Sequence, residues 1–208
     1  MTPLRGRVHD ILRQGRVLYR NIRHSHLLTL GHGAARRQAR LQEVFRITNR
    51  FLRHLQVDYW LVYGTLLGYY RHGDVIRGDW DIDFGVLEQN AGRIWQARAQ
   101  LPVGFKMYDT SHKHYGPKLY VVCDGWEADL YVHRDANGYL QSLEKSRFIS
   151  EMTPVPRALV YPLQPATFLG EATSIPHAPL AYLQHLYHYI GEGGRRDMRT
   201  GYWYPPSV

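Results

Sequence analysis

The sequence predicts an α/β fold, a small and partly antiparallel sheet with helices on one face. Apolar residues recur at helical intervals over residues 34–56, and short runs near residues 82–86, 118–123 and 127–133 read as strands, the last alternating with a period of two. Strands and helices also interleave along the chain, which favours one mixed sheet over separate layers of each type. At 208 residues the chain can fill one such core, and one domain is expected over residues 35–208.

The elements follow in order. Leu41, Val44, Phe45, Thr48, Phe51, Leu52 and Leu55 put an apolar stripe on a long first helix, residues 34–56. Strands are expected at 60–63 and 82–86, then a helix over 88–100 carrying Ile94, Trp95 and Ala97. Further strands are expected at 105–108, 118–123 and 127–133, with a short strand or turn within 138–150. Prolines 154, 156, 162, 165, 176 and 179 predict an extended loop crossing the sheet edge. Leu180, Leu183, Leu186, Tyr187 and Ile190 predict a closing helix over 178–190, stopped at Gly191. The tail from Gly193 either folds over the bound substrate or stays unstructured.

Charge is unevenly placed. Residues 1–55 hold twelve Lys or Arg against two acids, whereas residues 56–208 hold fourteen against sixteen. Within a basic arm, residues 1–34, Val8, Ile11, Leu12, Leu18, Tyr19 and Ile22 fall at helical spacing between arginines, the pattern of a helix lying on an anionic membrane surface. A purely structural arm carries equal weight. A nucleic-acid arm ranks lower, because only Tyr19 offers a stacking aromatic among the bases. A single cysteine, Cys123, excludes an internal disulfide framework and fits a cytoplasmic protein. No apolar run reaches the length of a membrane span or of a signal-peptide core. The twelve histidines form only pairs, with no third soft ligand at a fixed interval, so zinc is not expected.

The chemistry concentrates between Tyr63 and Asp83. Gly64-Thr65-Leu66-Leu67-Gly68 follows a short strand and opens a helix. One reading is an ordinary corner, with Gly64 in a left-handed conformation and Thr65 as N-cap. The other is an anion site, in which backbone N–H groups from Gly64 to Leu66 face phosphate. Arg71, at the far end of the same helix, either forks onto a phosphate or offsets nearby acids, and Lys118 is a further phosphate candidate. Asp79, Asp81 and Asp83 crowd three carboxylates beside apolar strand residues, which a divalent cation would compensate. Asp81 and Asp83, two apart on a strand, point the same way. In 127–133 the alternation sets Glu127, Asp129 and Tyr131 on one face, making Asp129 a third ligand or a general base. An all-oxygen set favours Mg2+, with Mn2+ as the alternative.

Taken together, Tyr63-Gly64-Thr65-Leu66-Leu67-Gly68, Arg71-His72-Gly73, Ile76 and Asp79-Trp80-Asp81-Ile82-Asp83 resemble the LicD/fukutin family. Ala128-Asp129-Leu130-Tyr131, Tyr161-Pro162-Leu163, Phe168-Leu169-Gly170, Ile175-Pro176 and Tyr182-Leu183 extend the resemblance over most of the chain. It implies a nucleotidyltransferase-like mixed sheet with flanking helices. It also implies a phosphotransferase that moves a phospho-alcohol, of the phosphocholine or ribitol-phosphate type, from a CDP-activated donor to a glycan hydroxyl. On this resemblance Asp81 and Asp83 hold the metal, Asp129 completes the acidic set, and Gly64 and Thr65 touch donor phosphates. The interrupted run Arg77-Gly78-Asp79-Trp80-Asp81 departs from the family pattern and places Asp79 behind the ligands. A lipid-linked glycan acceptor would suit the basic arm. Nucleotidyl transfer from the same site is the alternative reaction, and a catalytically silent binding module is the non-enzymatic reading.

Overall fold

A computed structural model describes residues 33–109, 111, 117–146 and 148–206. The expected basic arm, apart from the residues opening the first helix, lies outside them. Residues 41–208 form one compact unit.

The first helix, α1 (Gly33–His54), ends on Arg53 and His54, basic residues that suit the negative end of the helix dipole. Leu41, Val44, Phe45, Phe51, Leu52 and Leu55 are all buried, as their spacing requires. Strand β1 (Tyr59–Leu61) leads directly into α2 (Tyr63–His72), so the strand stops two residues short of the expected residue 63, which already belongs to the helix. Tyr63 carries the left-handed backbone at this corner (φ 45°), not Gly64, and Val62 is the N-cap. Gly73 closes α2 in the left-handed conformation that glycine tolerates, with its N–H on the Tyr69 carbonyl.

Next come β2 (Asp81–Leu87) and α3 (Glu88–Gln96), the latter tightening into a 3-10 turn over Ala97–Gln100. They are followed by β3 (Lys106–Asp109), β4 (Lys118–Cys123), β5 (Trp126–Ala136) and β6 (Tyr139–Ser142). Asn137 and Gly138 both adopt positive φ, 53° and 79°, the requirement of a tight two-residue hairpin between β5 and β6. The sheet order is β1-β2-β5-β4-β3, with β6 also on β5 and the two-residue β7 (Val155–Pro156) on β6. The β2–β5 pair is parallel and the other pairs are antiparallel. β5 therefore lies centrally, bordered by β2 along one side and by β4 and then β6 along the other.

Helices flank both faces of the sheet, where the sequence pattern predicted one. Phe45 of α1 stacks on Phe84 at 5.8 Å, fixing the Ile82-Phe84-Val86 side of β2 as the face toward α1. Each of these fully buried side chains stabilises the fold by about 1.5–3 kcal/mol. On the opposite side Trp60 lies over Gly85, and Tyr182 approaches its indole. Tyr182 belongs to α6 (Pro179–Tyr187), which Pro179 opens from its first turn. That helix ends three residues before the predicted 190, because His188 turns out of it (φ 65°) and stacks on Tyr202 at 3.7 Å.

The proline-rich segment is not an extended loop. Preceded by the short helix α4 (Ile149–Met152), it contains a second, α5 (Arg157–Val160), and a hairpin of β8 (Gln164–Phe168) and β9 (Glu171–Ile175). Leu169 and Gly170, at φ 50° and 78°, close the hairpin, while most of the prolines sit at element ends. Asn49 locks this hairpin to the core, its amide on the Ala172 carbonyl (3.0 Å) and its oxygen accepting from Tyr59 (2.7 Å). The tail forms a small hairpin of β10 (Arg195–Arg196) and β11 (Trp203–Tyr204).

Candidate active site

Parallel pairing of β2 with β5 brings Asp83 level with Asp129 and Asp81 level with Glu127. Side chains two apart on a strand share a face. One carboxylate oxygen from each of Asp81, Asp83 and Asp129 therefore falls within 4.8 Å of the others. Asp83 and Asp129 are only 6% and 5% exposed. Such charge density at such burial is unfavourable without compensation. Burial pushes the Asp83 carboxyl well above the usual carboxylate range, and repulsion from Asp81, Asp129 and Asp79 adds to it, with Lys118 opposing. Three convergent oxygens with no sulfur or imidazole among them fit a hard divalent cation. The trio could hold a metal ion.

The N-terminus of α2 is aimed at this cluster, though not as the sequence predicted. The Thr65 N–H points to Asp83 Oδ2 (3.4 Å), and the Asp83 N–H donates to Thr65 Oγ1 (2.8 Å). The Leu66 N–H is committed to the Val62 carbonyl (3.0 Å), and Leu66 is fully buried. Thr65 and Leu66 thus use their N–H groups within the protein, and the helix dipole offsets the Asp83 carboxylate. A side chain on Gly64 would place Cβ 2.9 Å from Asp79 Oδ2 and 3.5 Å from Asp83 Oδ2. Gly64 is therefore glycine because carboxylates occupy that space. Asp79 stands outside the trio, and burial raises its pKa to about 6.

Two predicted phosphate contacts have other partners. Lys118 Nζ lies 2.8 Å from Asp129 Oδ2 and 3.2 Å from Glu144 Oε1. Burial lowers its basicity, yet the two carboxylates together outweigh that and raise it above the ordinary lysine value. Lys118 thus fixes Asp129 in place beside Tyr131, over whose ring it sits at 4.9 Å. Arg71 donates through Nε to the Ile190 carbonyl (2.7 Å) and through Nη2 to the Ile190 and Gly191 carbonyls, the latter at 2.7 Å. It clamps the chain beyond α6.

A cavity of about 580 Å³ opens over the cluster, a volume typical of small-molecule sites. Asp79, Asp81 and Asp83 form one wall, and Glu151, Arg196 and Trp203 contribute elsewhere. The sequence reading missed Glu144 and Glu151 and placed Arg196 only in a tail that either folds over the donor or stays unstructured, because each lies outside the motifs and reaches the cavity through contacts distant in sequence. Arg196 Nη2, for example, meets Glu151 Oε1 across 45 residues at 2.8 Å.

Among relatives, the Rickettsia typhi protein RT0683 is 29% identical over 104 residues, covering 50% of this chain and 32% of that protein. Human "Ribitol 5-phosphate transferase FKRP" is 27% identical over 152 residues, covering 69% of this chain and 30% of that protein. The chain thus spans about a third of the length of these curated relatives. Among solved structures, the crystal structure of ANT(2")-Ia in complex with adenylyl-2"-tobramycin superposes with a TM-score of 0.46 at 13% identity, covering 65% of this chain and 68% of that one. The family model "LicD/FKTN/FKRP, nucleotidyltransferase domain" matches residues 56–178, a span that holds the α2 corner, both acidic strands and the β8–β9 hairpin. The chain therefore belongs to the LicD/FKTN/FKRP family.

Proposed function

We propose that the protein is a Mg2+-dependent phosphotransferase that moves a phospho-alcohol, of the ribitol-phosphate type, from a CDP-activated donor to a glycan hydroxyl. The observation that carries this reading is the register of Asp83 with Asp129, which converges three carboxylates beside a cavity of substrate size. Family membership and the likeness to a ribitol 5-phosphate transferase support the substrate class.

The reaction forms a bond from the acceptor oxygen to the phosphorus of the phospho-alcohol and breaks the bond from that phosphorus to the bridging oxygen, releasing CMP. Asp81, Asp83 and Asp129 would hold Mg2+, which would supply charge neutralisation at the phosphates. Thr65 and Lys118 hold Asp83 and Asp129 in the required orientation. Asp79 lines the cavity outside the trio, which places its carboxylate to take the acceptor hydroxyl's proton. The basic arm would hold the enzyme on an anionic inner membrane face, close to a lipid-linked acceptor.

The test incubates the full chain with Mg2+ and CDP-ribitol or CDP-choline and follows CMP release by chromatography, with CTP and ATP as competing donors. Release of CMP that requires Mg2+ and falls about 100-fold or more in Asp79→Asn is the expected result. Pyrophosphate release from CTP or ATP with both CDP-alcohols inert overturns the phosphotransferase reading in favour of nucleotidyl transfer.

A further inference from the structure

We propose that the turn from Gly191 to Gly194, together with the Arg196 side chain, binds the diphosphate of a nucleotide-activated donor. The identity of that donor rests on the phosphotransferase reading above. Diphosphate binding needs N–H donors, and those of Thr65 and Leu66 at the α2 corner are already engaged. Gly191, Gly193, Gly194 and Arg196 line the same cavity as Asp81 and Asp83. Among the described residues, none of the N–H groups from Gly191 to Gly194 donates to a carbonyl or a side chain. A run of free, consecutive N–H groups in a glycine turn is an anion-binding concavity.

The turn is held in one shape. Arg71 grips the carbonyls of Ile190 and Gly191. Gly193 sits at φ 68°, a conformation that side chains disfavour. A Cβ on Gly194 would lie 2.8 Å from Tyr189 Cδ1, and one on Gly191 would also strike the Tyr189 ring. Bare backbone therefore borders the cavity. Arg196 adds charge: its Nη2 meets Glu151 Oε1 at 2.8 Å, its Nε reaches the Gly201 carbonyl at 3.3 Å, and its Nη1 has no partner among the described residues. A guanidinium so placed can exchange or share Glu151 for a phosphate oxygen. The turn lies beyond residues 56–178, outside the family match.

The experiment titrates inorganic pyrophosphate with Mg2+ into the 15N-labelled full chain, wild type, Arg196→Gln and Glu151→Gln. The amide resonances of residues 191–194 should shift saturably. Arg196→Gln should raise the pyrophosphate Kd at least tenfold, whereas Glu151→Gln, which frees the guanidinium, should leave it unchanged or lower it. A pair with a purely structural role would make the two variants behave alike, and that result overturns the proposal. So do amides of 191–194 that stay fixed at saturation, a readout from wild-type protein that survives any misfolding of the variants. Shifted amides without CMP release support the turn while sinking the phosphotransferase, and CMP release with fixed amides does the reverse.

Discussion

Asp83 carries the sharpest conflict in the molecule, a carboxylate buried among three others, with its Oδ2 accepting from the Thr65 N–H and its backbone N–H donating to Thr65 Oγ1. Replacement by Asn keeps both hydrogen bonds and removes the repulsion. Metal-free Asp83→Asn should therefore melt higher than wild type, by a few degrees for each kcal/mol recovered, and should lose the stabilisation by divalent cations. Calorimetry with and without Mg2+ checks both, and a lower metal-free Tm contradicts the account. His133 makes a pH prediction of opposite origin. Burial lowers its pKa from 6.5 to about 4, partly opposed by carbonyl acceptors at Tyr131 and Val86. In the unfolded chain it takes a proton near 6.5, and in the folded chain only near 4. Between those values the unfolded state binds more protons, so stability falls as pH falls, by up to about 3 kcal/mol. Urea unfolding at a series of pH values should show this loss shrinking in His133→Phe, and equal slopes in both proteins would contradict it. The acidic trio was legible from strand alternation together with the neighbouring glycine motif and the family resemblance. The partners of Lys118 and Arg71 were not, because Arg71 meets a carbonyl 119 positions away, and no local pattern encodes such a contact.

Between β1 and β2 the fit is close. Trp60 and Gly85 are register partners, and a Cβ on Gly85 would lie 2.5 Å from Trp60 Cε2. The indole is fully buried beside His133 and Tyr161 and has no room to withdraw. Gly85→Ala should cost about 1–3 kcal/mol or more, seen as a Tm lowered by roughly 5 °C, and an unchanged Tm would show that the sheet edge yields freely. Strands β2 and β5 and the helix α1 were readable because burial imposes a period on them. The β8–β9 hairpin was not, because its prolines mimic a loop, although the Leu169-Gly170 turn makes a hairpin geometrically available. The end of α6 was misplaced for a related reason. His188 leaves the helix to stack on Tyr202, a partner supplied by the tail.

Over the whole molecule, sequence order and spatial order diverge at the cavity. Its acidic wall comes from a contiguous motif and one later strand, whereas much of the rest of its lining comes from the last twenty residues of the chain. The sequence showed the first because i, i+2 carboxylates announce themselves. It left the second between two readings, a tail folded over the donor or an unstructured end, because glycines and arginines in a tail also resemble a solvated end. No helix among the described residues is long and apolar enough to cross a membrane. Everything proposed for the reaction depends on Asp81, Asp83 and Asp129 acting as one cation site. The most direct measurement is anomalous difference density from crystals grown with Mn2+ and CDP. The account predicts a Mn2+ peak within about 2.0–2.5 Å of oxygens from all three carboxylates. A cavity with CDP bound and no peak at the trio, or Mn2+ bound only elsewhere, contradicts it.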